Sequence, residues 1–249
     1  MAVPTNNAPL INVLVTRPSH QADKLCAELT ANGLHAIRYP SIDIQAVSNT
    51  PQATAALQNI IRSDNLIFIS ANAVTHAHQL LSTQWPEING SIIAIGPSTA
   101  NALLNIGLIP RITAQTPFNS EQLLKQLPSL DNVSIIKGEG GRDFLEKQLT
   151  ARGINVTAVD VYKRAMPANN PIAPSNVLHY ITITSQLALE NLFLLLPAQT
   201  KKLKQASTFV VLSQRIAQFA KSLGCQHILT SKDASDAGLV AAITDEESH

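Results

Sequence analysis

Aromatic side chains make up only 4% of the 249 residues, so Ala, Leu, Ile and Val have to fill the interior. There are two cysteines, Cys26 and Cys225, in unrelated contexts and without a CxxC spacing. That argues against a disulfide framework and fits two reduced thiols in a reducing compartment. No charge is in excess: 18 basic residues face 17 acidic ones, which leaves no global field and sets nucleic-acid binding aside. No apolar run reaches the ~18–20 residues that a membrane span needs. The longest candidate, "LALENLFLLLP", is interrupted by Glu190 and Asn191 and stopped by Pro197. The opening "MAVPTNNAPL" lacks the basic and apolar regions of a secretory leader, and the expected location is the cytoplasm.

What is present is a core. The chain is 45% hydrophobic and 14% charged, enough to fold as one large domain or two modest ones. A short apolar, β-branched run, a small residue and then an amphipathic stretch recur at "INVLVTRP", "NLIFISANAV", "SIIAIGPSTA", "NVSIIKGEGGR", "HYITITSQLAL" and "TFVVLSQRIA". Runs that are apolar throughout belong to strands covered on both faces, which predicts a doubly wound α/β fold with parallel sheets flanked by helices. Two helices are predicted with their stops. One starts near Pro97 and ends at Gly107; the other puts Ile216, Phe219, Ala220 and Leu223 on one face and ends at Gly224. Gly107 follows Gly96 at the distance at which Gly224 follows Ser213. The two surrounding stretches match in order and type of element, which fits either two related halves or a convergent βαβ rhythm.

Two breaks interrupt the pattern. "IRYPSIDIQAV" stays extended on both sides of Pro40, and Pro167, Asn169, Asn170, Pro171 and Pro174 mark a linker after the β-forming run Ile154–Val161. Two crossings imply a discontinuous domain of residues 1–38 and 168–249 and an inserted domain of 42–162. The linkers then fall near 39–41 and 163–167, with extended segments near 37–44 and 158–165 as the hinge.

In parallel α/β sheets ligands bind beyond the carboxyl ends of the strands, where helix N-termini expose N–H groups. The residues at those points are Thr16, Arg17, Ser70, Asn72, Gly96, Ser98, Thr99, Gly138, Gly140, Gly141, Arg142, Thr184, Ser185, Ser213 and Arg215. Each is also what a helix cap or turn needs, but together they line a cleft with amides and hydroxyls. Gly138-Glu139-Gly140-Gly141 matches neither G-x-G-x-x-G nor a phosphate loop. No G-x-S-x-G exists, and His76 and His78, two apart on a helix, point to different faces and make no metal pair. No metal or organic-cofactor pattern is seen. Tyr162, in "VDVYKRAMP" beside Lys163 and Arg164, is either an edge-strand tyrosine packed on the linker or a proton donor at the mouth of the cleft.

The ordered set "VLVTRP", "IFISANAV", "AIGPSTANAL", "KGEGGRDFLEKQLTARGINVTAVDVYKR" and the "TS" of the later strand resembles the uroporphyrinogen-III synthase family over about residues 11–243. The resemblance implies two flavodoxin-like domains joined by a two-stranded β-ladder. It also implies hydroxymethylbilane, a linear tetrapyrrole with eight carboxylates, as substrate, and uroporphyrinogen III as product. The reaction is a dehydrating ring closure with inversion of the D ring, through an azafulvene and a spiro-pyrrolenine, without metal or organic cofactor. The enzyme would then be a monomeric lyase that acts mainly by orienting the A and D rings, aided by domain closure. The preceding pathway enzyme is a transient partner on this reading. Tyr162 matches the tyrosine proposed to assist departure of the hydroxyl. The glycine turn with Arg142 would hold a carboxylate. Two departures stand out: "VVLSQRI" where a Gly-Pro-Thr-Thr type turn is usual, which leaves Arg215 as a substitute ligand, and Phe118-Asn119-Ser120-Glu121 in place of Ser-Glu-Gly. The competing readings are a hinged anion-binding protein without chemistry and a nucleotide-sugar glycosyltransferase, for which no acidic sugar-nucleotide site is found.

Overall fold

The computed structural model describes residues 10–47, 50–82, 85–141, 143–168 and 177–248. In chain order its elements are β1 (Asn12–Val15), α1 (Ser19–Ala31), β2 (His35–Arg38), β3 (Asp43–Ala46), α2 (Pro51–Ile61), β4 (Asn65–Phe68), α3 (Ala71–Leu80), β5 (Ile92–Ala94) and α4 (Pro97–Asn105). Next come β6 (Ile112–Thr113), α5 (Ser120–Gln126), β7 (Asn132–Gly138), α6 (Phe144–Ala151) and β8 (Asn155–Ala165). The chain ends with β9 (Tyr180–Ile183), α7 (Gln186–Leu195), α8 (Thr200–Ala206), β10 (Thr208–Val211), α9 (Gln214–Ser222), β11 (His227–Thr230) and α10 (Asp236–Glu247). Residues Asn169, Asn170, Pro171 and Pro174 of the expected linker lie outside the described residues, as does Arg142.

Contacts divide the chain into two compact units, 1–43 with 165–249, and 44–164. The first unit holds a five-stranded sheet in the order β11-β10-β9-β1-β2, all pairs parallel. Counted along the chain within the unit, that is the 2-1-3-4-5 order of the flavodoxin type. The second holds β3-β8-β7-β4-β5-β6, parallel from β8 to β6. Its five parallel strands, counted from β4, run 3-2-1-4-5, the other doubly wound order. β3 pairs with β8 at the edge of this sheet, so the extended stretches on the two sides of Pro40 belong to different sheets.

Each sheet is covered on both faces, which is why its strands read as unbroken apolar runs. In β1, Leu14 packs with α7, α8 and α9 while Val13 and Val15 pack with α1 and α10. In β4, Leu66 and Phe68 face α2, α3 and α4 while Ile67 faces α5 and α6. With so few aromatics, branched aliphatic residues carry both layers. The predicted helix stops hold, with Gly107 and Gly224 in the left-handed region at φ 81° and 88° just past α4 and α9. In the stretch expected to link the domains, Tyr39 and Ser41 are buried. Ser41 donates its backbone N–H to Thr16 and accepts from Asn191 Nδ2 on its carbonyl at 2.8 Å.

Candidate active site

Helices begin at the carboxyl ends of the strands, and the small residues there act first as caps. Ser70, Ser185 and Ser213 accept the N–H of Ala73, Ala188 and Ile216 and start α3, α7 and α9. Gly96 starts α4, with Pro97 in the first turn. At the α4 end Ser98 is exposed, whereas Thr99 is buried and turned from the rim. Asn72 is half-buried in the first turn of α3.

In the first unit the strand order reverses between β1 and β9. Thr16, at the end of β1, is buried and donates its hydroxyl to the Thr182 carbonyl at 2.7 Å. Arg17 is ion-paired with Asp236, at the start of α10, at 2.5 Å. Arg215 is exposed in the first turn of α9, and Ser185 and Ser213 stay half-buried at their caps.

In the second unit the order reverses between β4 and β7, and there the predicted residues converge. β7 and β8 pair regularly up to Lys137 and Asp160, after which Gly138 faces Tyr162 and Val161 is the extra residue of a bulge. Val161 and Tyr162 are therefore both buried, and the bulge turns the tyrosine onto the face that α3 covers. Tyr162, with 1% exposure, lies flat over Gly138, where an added Cβ would sit 2.4 Å from the ring. The His76 ring of α3 packs against it at 5.5 Å between centroids. The phenol oxygen accepts from Arg164 Nη2 at 2.9 Å and stands 3.2 Å from Ser70 Oγ. The Arg164 guanidinium lies 5.2 Å from the ring centroid, near its π-face. Tyr162 is thus not on an edge strand, since β8 lies between β3 and β7.

The glycine turn follows β7, with Gly140 and Gly141 exposed at φ 71° and 89°. Lys137 lies beneath it, with its ammonium 3.0 Å from the Gly140 carbonyl oxygen and 3.1 Å from Asp160 Oδ1. A carbonyl drawn toward Lys137 turns the N–H of the same peptide unit, that of Gly141, to the opposite side. The Glu139 N–H is occupied by the Tyr162 carbonyl at 2.7 Å.

Structure thus brings Ser70, Gly138 and Tyr162 together, adds Arg164 and His76, and sets Lys137 under Gly140. Sequence reasoning had Arg164 only as a neighbour of Tyr162; strand alternation, which puts i and i+2 on one face, was the signal for it. His76 had no local signal, because Tyr162 is distant in the chain, and the Lys137–Asp160 pair likewise spans two strands. Among the described residues no group of three or more His, Cys, Asp or Glu is gathered that could hold a metal ion. No helix among them is long and apolar enough to cross a membrane.

Fold and rim define a class: doubly wound α/β proteins in two units, with amide- and hydroxyl-rich strand ends. Residues 23–241 match the family model described as "Uroporphyrinogen-III synthase HemD". The chain is 31% identical over 248 residues to the uroporphyrinogen-III synthase of Escherichia coli, covering 94% of this chain and all of that one. It is 30% identical to that of Salmonella typhimurium, with the same coverage. Among solved structures, the synthase of Helicobacter pylori matches with a TM-score of 0.63 at 15% identity, over 95% of this chain and 100% of that one. A mutant synthase from Thermus thermophilus matches with a TM-score of 0.61 at 15% identity, over 96% and 98%. The chain belongs to the uroporphyrinogen-III synthase family. The reading as an anion-binding protein without chemistry has no support among these relatives.

Proposed function

We propose that the chain is a cofactor-independent lyase of the cytoplasm that closes hydroxymethylbilane into uroporphyrinogen III with inversion of the D ring. Family membership supports the reaction. The observation that carries the site is the Tyr162 hydroxyl, held between Arg164 and Ser70 at the point where strand order reverses in the second unit. A hydroxyl network there suits the step in which the substrate loses its own hydroxyl to give the azafulvene. The exposed N–H side of the Gly140–Gly141 turn suits a propionate or acetate group, and within the same unit the helix starts at Ser70 and Gly96 suit others; in the first unit the starts at Ser185 and Ser213 have the same character. Eight carboxylates can be shared among such amides without a permanent basic patch, in keeping with the chain's net charge of +1. Since the bilane also cyclises unaided to the uninverted isomer, orientation of its terminal rings is the protein's main contribution.

The experiment supplies hydroxymethylbilane, oxidises the products and separates the isomers. Isomer III in excess over isomer I is expected, and isomer I alone at the spontaneous rate would refute the reading. Tyr162→Phe is expected to lower turnover several-fold with folding intact. An unchanged rate would remove Tyr162 from the mechanism.

A further inference from the structure

Arg164, Tyr162 and Ser70 form one hydrogen-bonded row, and its direction follows from what each group can do. A guanidinium has donors only, so the 2.9 Å contact from Arg164 uses a lone pair of the phenol and leaves its O–H to point elsewhere. With 1% exposure, the tyrosine needs a partner inside the protein for that O–H, and Ser70 Oγ stands 3.2 Å away. That oxygen accepts the Ala73 N–H at 3.0 Å as the cap of α3, and its second lone pair takes the phenol hydrogen. The Ser70 hydrogen is then turned out of the row, from a half-buried residue at the rim. Tyr162 itself lies under His76 and over Gly138, too enclosed to meet a tetrapyrrole directly.

We propose that Ser70 is the group that hands a proton to the leaving hydroxyl, that Tyr162 refills it, and that Arg164 is a positioning residue that fixes the direction of the row. This rests on the synthase reading above. As the C–O bond of the substrate breaks, its electron pair leaves on oxygen, and the Ser70 proton makes that oxygen water. Ser70 Oγ takes the proton of Tyr162, and the phenolate stays paired with the guanidinium. When the closing ring loses a proton from carbon to regain its aromatic pyrrole, that proton returns through Ser70 to the phenolate. No oxidant, reductant or further reactant enters.

Gly is tolerated at a helix N-cap, so Ser70→Gly removes the hydroxyl with little loss of the helix start. In the isomer assay, Ser70→Gly is expected to lower kcat at least tenfold with KM unchanged, and Ser70→Thr to restore most of it. The double variant Ser70→Gly/Tyr162→Phe is expected to be no slower than the slower single one, because both interrupt one row. An unchanged kcat in Ser70→Gly, or losses that multiply in the double variant, overturns the relay. Arg164→Met is expected to fall several-fold and Arg164→Lys, which still donates, to recover part; equal losses in the two overturn the positioning role. The wild-type arm separates the two readings. Isomer I alone from the wild type refutes the synthase reading, whereas isomer III from both the wild type and an undiminished Ser70→Gly refutes the relay alone.

Discussion

An alanine at position 138 would bring its methyl carbon within 2.4 Å of the Tyr162 ring, so the ring or the strand would have to move. Overpacking of that kind costs about 1–3 kcal/mol, and here it also swings the phenol away from Ser70 and Arg164. Gly138→Ala is expected to lower turnover at least as far as Tyr162→Phe does, with a lower urea midpoint; wild-type turnover would show that the ring position is immaterial. Cys225 makes a second residue-scale case. Burial pushes its thiol up from the ordinary 9.0 to about 11, against a smaller downward pull from Lys204. Between those values the unfolded chain gives up a proton that the folded chain keeps, so stability falls as pH rises from 9 to 11. Cys225→Ala is expected to flatten that loss in urea titrations at pH 8 and pH 10.5; an equal slope in both proteins would count against it. Tyr162 stood out as a candidate in the sequence, from its place in "VDVYKRAMP" beside Lys163 and Arg164, but its surroundings were not legible. The bulge at Val161 adds one residue to β8 relative to β7, and such an offset depends on a partner strand that no local pattern reveals. In the same way Arg17 could be read only by its place at the end of a strand, because its ion-pair partner, Asp236, lies more than two hundred residues on.

At the scale of the element, the chain is more open to reading. Strands covered on both faces must be apolar throughout, and β1, β4, β9 and β10 were read on that ground; Leu14 and Val15, adjacent in sequence, pack into opposite layers. The stops at Gly107 and Gly224 were legible because few other residues sit easily at φ near 80–90°. Two-residue β6 was too short to leave a pattern, and the difference in strand order between the two sheets was hidden, since pairing is non-local. The serine caps yield a graded prediction. Ser185 Oγ accepts the Ala188 N–H at 3.1 Å, whereas Ser213 Oγ is 3.4 Å from the Ile216 nitrogen. Ser185→Ala is expected to cost ~1 kcal/mol in urea unfolding and Ser213→Ala less. The reverse order would mean that the two caps differ in something besides distance.

For the molecule as a whole, each unit has its own sheet and its own two apolar layers. Unfolding is expected to depart from a single two-state transition. Leu189→Ala, in the core of the first unit, and Leu103→Ala, in that of the second, should each cost about 2–5 kcal/mol. Each is expected to move one calorimetric transition and leave the other in place; a single transition moved alike by both would contradict it. That the chain builds two α/β units was legible from the double break in its rhythm.

The first unit is sewn from two ends of the chain, with β1 lying between β2 and β9. A ribosome that adds ~5–20 residues per second makes the roughly 140 residues between β2 and β9 in roughly 7–28 s. For that time β1 and α1 hold their apolar faces without β9, β10 and β11, while the segment for the second unit is being made. The order of synthesis therefore favours a sheet that closes last around β1, whose neighbour β2 is made long before β9.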